Sequence, residues 1–297
     1  MYPRAFNYHR AGSLPEAVAM LSQLGQESKV IAGGQSLIPL MKLRFASPAH
    51  LVDLNFIPTL SFIEQRDGAI HFGPLARHAQ IEASAVARKV PILHDCAAGI
   101  ADAQIRSIGT IGGSLAEADP SGDWAPVLIT LDAQVRCVGS RGERTVPTRE
   151  FFVDAYTTAL AHEELIKEIS VTVPAKGSGG AYIASKRCPQ VYASAAVAVQ
   201  LTMRDKVCEE AAIALAAVGL TAIRPLQAEA ALRGQTLSEA TIKKAAEAAI
   251  AASEPQPDMR GSVEYKRALV SALLREAIDV AERRSRGENV EVSHHYA

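Results

Sequence analysis

Lys29-Val30-Ile31-Ala32-Gly33-Gly34-Gln35-Ser36, followed by Leu37 to Leu43, is the stretch on which the reading of this chain turns. A short apolar strand runs into two glycines, an amide and a hydroxyl, and then into a helix whose first turn must hold Pro39. Two adjacent glycines remove two Cβ atoms and permit positive φ, so successive backbone N–H groups can turn toward one concave point and approach phosphate oxygens. Ser36 adds a hydroxyl at the start of the helix, where partial positive charge favours an anion. Upstream, Ser13, Pro15 and Glu16 form a helix-start signature that leads into a Val18, Leu21, Leu24 stripe and stops at Gly25. Downstream, His50 to Leu54 reads as a strand. Helices alternating with short strands predict a small layered α/β unit.

Thr110-Ile111-Gly112-Gly113-Ser114 repeats the device. Two such loops can hold the two phosphates of a dinucleotide from opposite sides, although either pair taken alone reads at least as well as a turn. Neither is a GxGxxG or carries the lysine of a P-loop, so a standard NAD or ATPase site is not supported. The eight histidines form no HExxH, and no GxSxG elbow is present. No general acid, base, nucleophile or metal ligand is therefore named. His294-His295 reads as a solvated tail. Arg106, just ahead of the second loop, reads either as a counter-charge for phosphate or as an ordinary salt-bridge partner.

Between and beyond the loops the pattern changes. Asp67-Gly68 between Phe62-Ile63 and Ile70-Phe72 signals a hairpin, and strands return near 133–138, 144–146 and 165–173, which predicts a mixed α+β second lobe. Pro174 to Gly180 is the best linker candidate. Tyr192 to Leu201 and Glu210 to Val218 look like long buried strands, although their alanines equally permit helices. Pro225 to Leu232, Ser238 to Ala252 and Ser262 to Arg286 read as helices, with Ser238 as an N-cap.

A net charge of -1, with 48% hydrophobic and 21% charged residues over 297 positions, describes a globular chain that bulk charge draws to neither nucleic acid nor anionic membrane. No secretory pattern and no membrane-length apolar run is present, so the expected location is the cytoplasm. Cys96, Cys137, Cys188 and Cys208 are too scattered for a zinc or iron–sulfur site and read as reduced structural thiols.

The stretches KVIAGGQSLIPLMKLRFASPAHLVDLN, IRSIGTIGGSLAEADPSGDWAPVLITLDA and PDMRGSVEYKR, in this order, resemble the FAD-binding medium subunits of the CO dehydrogenase and xanthine dehydrogenase (molybdenum hydroxylase) family. The resemblance implies an α+β fold. A two-lobed FAD-binding domain would span 1–175, with lobe one about 1–56 and lobe two about 57–175. A C-terminal domain of antiparallel sheet and helices would span 181–286, and a tail 287–297. It implies that Lys29, Val30, Ile31, Ala32, Gly33, Gly34, Gln35, Ser36 and Leu37, with Thr110, Ile111, Gly112, Gly113 and Ser114, wrap the FAD pyrophosphate largely through backbone N–H groups. Where the family often has Asn, this chain has Ser114.

By the same likeness Asp123 meets the sugar or adenine end of the cofactor, the alternative being a helix N-cap. Ile100 lies beside the flavin ring, Leu165 or Ile166 near the adenine, Lys186 near the cofactor, and Tyr192 on the isoalloxazine face, where the alternative is a buried strand tyrosine. The implied partners are a large molybdopterin-binding subunit and a small [2Fe-2S] subunit, in a heterohexamer built as a dimer of heterotrimers. The chain would be the oxidoreductase component that takes electrons from iron–sulfur centres and passes them to an acceptor. The competing readings are a self-contained flavin oxidoreductase of the same superfamily and a non-enzymatic assembly protein.

Overall fold

The computed structural model describes residues 2–296. Its first lobe comprises β1 (Asn7–Arg10), α1 (Leu14–Leu24), β2 (Ser28–Ile31), α2 (Leu37–Leu43) and β3 (His50–Asp53), with the strands in a parallel sheet ordered β1-β3-β2. The helix signature at its start is realised: Ser13 Oγ accepts from the Glu16 N–H, and α1 ends at Gly25 with φ +61°. Ile31 pairs with Asp53, so residues 32–36 and 54–55 leave the sheet side by side.

Lobe two begins with the hairpin β4 (Ile63–Arg66) and β5 (Ala69–Phe72), whose turn residues Asp67 and Gly68 both take positive φ. There follow α3 (His78–Ala83), α4 (Pro91–Gly99), α5 (Ala103–Ile108), α6 (Ile111–Glu117) and α7 (Trp124–Thr130). Then come β6 (Gln134–Gly139), β7 (Gly142–Pro147), α8 (Thr148–Phe151), the small pair β8 (Phe152–Asp154) and β9 (Thr157–Thr158), and β10 (Leu165–Thr172). The antiparallel sheet runs β4-β5-β10-β6-β7. Leu165 packs into the core of lobe one while its neighbour Ile166 packs into that of lobe two, because successive strand residues point to opposite faces.

The last part holds β11 (Ser178–Lys186), β12 (Ala195–Arg204), β13 (Val207–Ala216), α9 (Leu226–Leu232), β14 (Gln235–Thr236), α10 (Glu239–Ala252), α11 (Val263–Ser285) and β15 (His295–Tyr296). Its sheet is ordered β14-β13-β12-β11-β15, antiparallel except for β15 beside β11. The alanine-rich stretches are strands, and their alternation shows why. Val197, Val199 and Ile213 face the helices of this part, whereas Ala196, Ala198 and Ala216 join Trp124, Val127 and Leu128 of lobe two. Small side chains on that face let α7 lie close to the sheet. Together the parts form the α+β architecture expected.

Three local expectations are corrected. Gly179 and Gly180 belong to β11 rather than to a linker; a Cβ on Gly179 would stand 2.1 Å from the Ala281 carbonyl oxygen, so this glycine serves close packing against α11. Tyr192 precedes β12, which starts at Ala195, and so is not a buried strand tyrosine. The solvated-tail reading fails at His294, which is part-buried, whereas His295 and Tyr296 are exposed but extend a sheet. Among the described residues no helix is long and apolar enough to cross a membrane.

Candidate functional site

The first glycine segment is a cradle of open donors. Gly34 takes φ +68°, and the backbone N–H groups of Gly33, Gly34, Gln35 and Ser36 donate to no acceptor among the described residues, while the carbonyls of Gly34 and Ser36 accept from Ile38 and Leu40 of α2. Ser36 occupies the N-cap position, yet its hydroxyl makes no capping bond and turns instead toward Tyr192. The side that faces the protein is fixed by Asn55. Its Nδ2 donates to the Ala32 carbonyl (2.8 Å) and to Asp53 Oδ1 (2.7 Å). A row of unpartnered N–H groups in a turn that admits no Cβ is suited to anionic oxygens.

The second segment is built differently from its expected twin. Thr110 is the N-cap of α6, its Oγ1 accepting from the Gly113 N–H (3.1 Å), so the glycine pair lies inside a first helical turn. The Ile111 and Gly112 N–H groups already donate to the carbonyls of Ala76 (3.1 Å) and Pro74 (2.9 Å). Gly112 is required by packing, since a Cβ there would meet Pro74 Cβ at 2.5 Å. Most of this segment's donors are thus satisfied by protein, and its contribution is shape.

The two segments touch. A Cβ on Gly33 would stand 2.7 Å from the Ile108 carbonyl oxygen, 2.8 Å from Gly109 Cα and 3.2 Å from Thr110 N. Arg77 ties them from behind: one guanidinium nitrogen donates to Asn55 Oδ1 (2.5 Å) and another to the Ile108 carbonyl. Burial lowers the Arg77 pKa, with the Asp53 carboxylate opposing. Beneath Gly109 sits His78, whose backbone N–H donates to the Gly109 carbonyl and whose Nδ1 accepts from Trp124 Nε1 (3.1 Å). Burial pushes this imidazole down to about 4, so it is neutral.

The remaining predicted residues divide into two groups. Tyr192 is half-exposed and reaches the first segment. Burial and the carboxylates of Asp119, Asp123 and Glu117 push its phenol well above the ordinary range, and a hydrogen bond with Ser36 opposes them. Ser114 is part-exposed on α6, and Lys29 is exposed on β2, close enough to Glu117 to oppose the rise that burial and Asp119 impose on that carboxyl. Asp123 and Lys186 lie inside. Asp123 occupies the N-cap of α7 without capping it; its Oδ1 accepts instead from Tyr182 Oη (2.7 Å) and from Lys186 Nζ (3.0 Å). Lys186, 1% exposed, also donates to the Gly99 carbonyl (2.8 Å), next to Ile100. Arg106 takes the salt-bridge alternative: it pairs with Glu82 (2.9 Å) and donates to the Ile100 and Ala101 carbonyls.

Sequence reasoning missed Arg77, Asn55 and His78. A polar residue directly after a parallel strand, as in Val52-Asp53-Leu54-Asn55, was the one available signal; Arg77 and His78 carry none, because their partners are 22 to 46 positions away.

Residues 4–175 match the family model described as the FAD binding domain in molybdopterin dehydrogenase, and residues 180–281 match the CO dehydrogenase flavoprotein C-terminal domain. Among curated proteins the chain is 38% identical to the carbon monoxide dehydrogenase medium chain of Hydrogenophaga pseudoflava, over 95% of this chain and 98% of that one. It is 37% identical to the 6-hydroxypseudooxynicotine dehydrogenase complex subunit alpha of Paenarthrobacter nicotinovorans, over 99% and 100%. Among solved structures it superposes on a chain of the H. pseudoflava carbon monoxide dehydrogenase that lacks the Mo-pyranopterin moiety of its cofactor. The TM-score is 0.94 at 40% identity, covering 96% of this chain and 99% of that one.

Proposed function

The chain belongs to the FAD-binding medium subunits of the molybdenum hydroxylases, and we propose that it carries electrons from the iron–sulfur centres of a small [2Fe-2S] partner to a terminal acceptor, while a large molybdopterin-binding partner oxidises the substrate. The observation that carries this reading is the run of open N–H donors from Gly33 to Ser36, pressed against Ile108–Thr110. FAD supplies the redox chemistry when bound. The protein's share is to hold, orient and shield it.

In this reading Lys29 to Leu37 receive the pyrophosphate, with the open donors of Gly33 to Ser36 making the main contacts. Thr110 to Ser114 close the cradle by shape and through the Thr110 and Ser114 side. Ile100 forms an apolar wall beside the flavin ring, Tyr192 covers its face, and Leu165 or Ile166 borders the adenine. Asp123 meets the sugar or adenine end of the cofactor, and Lys186, bonded to Asp123 and to the Gly99 carbonyl, lies near it. The chain divides functionally at about residue 175 into a two-lobed FAD-binding domain and a sheet-plus-helices domain spanning 181–286, with a tail from 287.

Exposed apolar side chains support a surface that partners cover. Ile38, Leu43 and Phe45 cluster on and after α2 beside the cradle, with Phe45 81% exposed. Two copies each of large, medium and small subunits, assembled in the cytoplasm, complete the proposal. The test is reconstitution of the purified chain with FAD, followed by co-expression with the neighbouring reading frames. Flavin absorbance at one FAD per chain, and reduction of that flavin by substrate only when large and small partners are present, are the expected results. A lone chain that reduces its own flavin with a small substrate would instead make it a self-contained oxidoreductase.

A further inference from the structure

Beyond α11 the chain crosses back to α4, and one guanidinium organises the crossing. Arg284 forks onto Asp95 of α4 (Nη1–Oδ2 2.5 Å, Nη2–Oδ1 2.9 Å) and donates to the carbonyls of Gly180 (2.7 Å) and Val290 (2.6 Å). Val290 and Val292 then pack on the C-terminal core, and β15 pairs with β11, His295 opposite Ser185 and Tyr296 opposite Lys186. This turns His294 inward. Its Nδ1 accepts from the Ala184 N–H (3.2 Å), which places the ring proton on Nε2, and Nε2–H donates to the Asp95 carbonyl (3.0 Å). The ring lies edge-on to Tyr182 at 5.7 Å and close against Gly99, where a Cβ would stand 2.2 Å from Nε2.

Gly99 is consequently held twice, by the imidazole on its Cα and by Lys186 on its carbonyl. Arg106 holds the next two carbonyls, and Ala101 sits in the left-handed region at φ +42°, a conformation strained for a non-glycine residue. The backbone from Gly99 to Ala101 therefore keeps a shape imposed by its neighbours. The C-terminal family match ends at residue 281, so the strap lies outside the matched region.

We propose that His294 is a positioning residue for the flavin: through Gly99 it sets the place of Ile100, so that the chain's last residues fix the apolar wall beside the flavin ring. This rests on the assignment of Ile100 to the flavin side made above. Protonation would disable the device, because Nδ1–H would then face the Ala184 N–H, donor against donor. Burial keeps this imidazole below its ordinary pKa; the bond to the Asp95 carbonyl opposes that, Lys186 reinforces it, and the Asp123 and Asp95 carboxylates oppose it. The charged and titratable groups around the ring are Asp95 from α4, Lys186 and Tyr182 from β11, Asp123 ahead of α7 and Arg284 from α11.

The full-length chain, reconstituted with FAD, decides the matter through visible circular dichroism and the flavin reduction potential, compared for wild type, His294→Ala and His294→Gln. His294→Ala is expected to bind FAD within about threefold of wild type, since the pyrophosphate cradle is untouched, but with an altered flavin dichroism and a shifted potential. His294→Gln, whose amide N–H can still donate to the Asp95 carbonyl, is expected to restore both. It should also abolish the acid-side change in dichroism that wild type shows. An unaltered dichroism and potential in His294→Ala overturns the proposal. If that variant fails to fold, the acid titration of His294→Gln decides: a change identical to wild type overturns the proposal, and its absence supports it. Failure of wild type itself to take up FAD overturns the underlying functional reading as well, and so is distinguishable from failure of the His294 role alone.

Discussion

Gly33 and Ile108 are in backbone contact across the two halves of the candidate cofactor site, so close that a Cβ on residue 33 would lie 2.7 Å from the Ile108 carbonyl oxygen. Neither partner can yield easily, because Asn55 and Arg77 pin the Ala32 and Ile108 carbonyls on either side. Gly33→Ala must therefore open the cradle. An overpacking cost of about 1–3 kcal/mol is expected, appearing as roughly ten- to hundredfold weaker FAD binding in a fluorescence titration, with the far-ultraviolet dichroism unchanged. Equal affinity in the variant would show that the contact has no part in cofactor binding.

Arg77 bridges Asn55 and Ile108 with two nitrogens of one planar group. A lysine has the charge but not the fork, so Arg77→Lys and Arg77→Met should both weaken FAD binding, by about tenfold. Full rescue by lysine would mean that charge near the phosphates matters, not the bridge.

Lys186 and Asp123 form an ion pair in the interior, 1% and 5% exposed, and removing one member leaves the other buried and charged. Lys186→Met or Asp123→Asn alone should cost about 3–5 kcal/mol in urea unfolding, whereas the double replacement should cost clearly less than the sum. Strict additivity in that cycle would contradict the pairing.

His78 links stability to pH. Its folded pKa, lowered by burial from 6.5 to about 4, makes the neutral ring the folded form. A depressed value means that the contribution is complete above pH 6.5 and is lost as pH falls through 4, to a limit of about 3 kcal/mol. Urea midpoints measured from pH 7 to pH 4 should fall in the wild type and fall less in His78→Gln, whose amide oxygen can still accept from Trp124. Parallel slopes would remove His78 from the account.

Much of the framework is set by local chemistry and was legible residue by residue. Ser13 and Ser238 cap their helices through their own neighbours Glu16 and Thr241, the Asp67-Gly68 turn needs only its two positive φ angles, and the Gly34 turn follows from the absence of a Cβ. Tyr192 to Leu201 and Glu210 to Val218 were legible as long buried apolar stretches too. Whether they were strands was not decidable locally, because alanine suits both states and only the partners across the sheet choose between them.

The sequence by itself determined where the chain can turn tightly, which stretches start as helices, and that two glycine pairs stand ready for close approach, since these depend on groups within a few positions of one another. Tertiary structure alone decided which pair keeps its donors open. The Pro74 and Ala76 carbonyls satisfy Gly112 and Ile111, while no acceptor among the described residues meets the N–H groups of Gly33 to Ser36. It likewise decided that Asp123 bonds Lys186 and Tyr182 instead of capping α7, and that His294 folds inward against Gly99. In each case the bonding partner lies far along the chain, and a hydrogen bond's existence depends on the distance between its atoms in space, which local sequence does not encode.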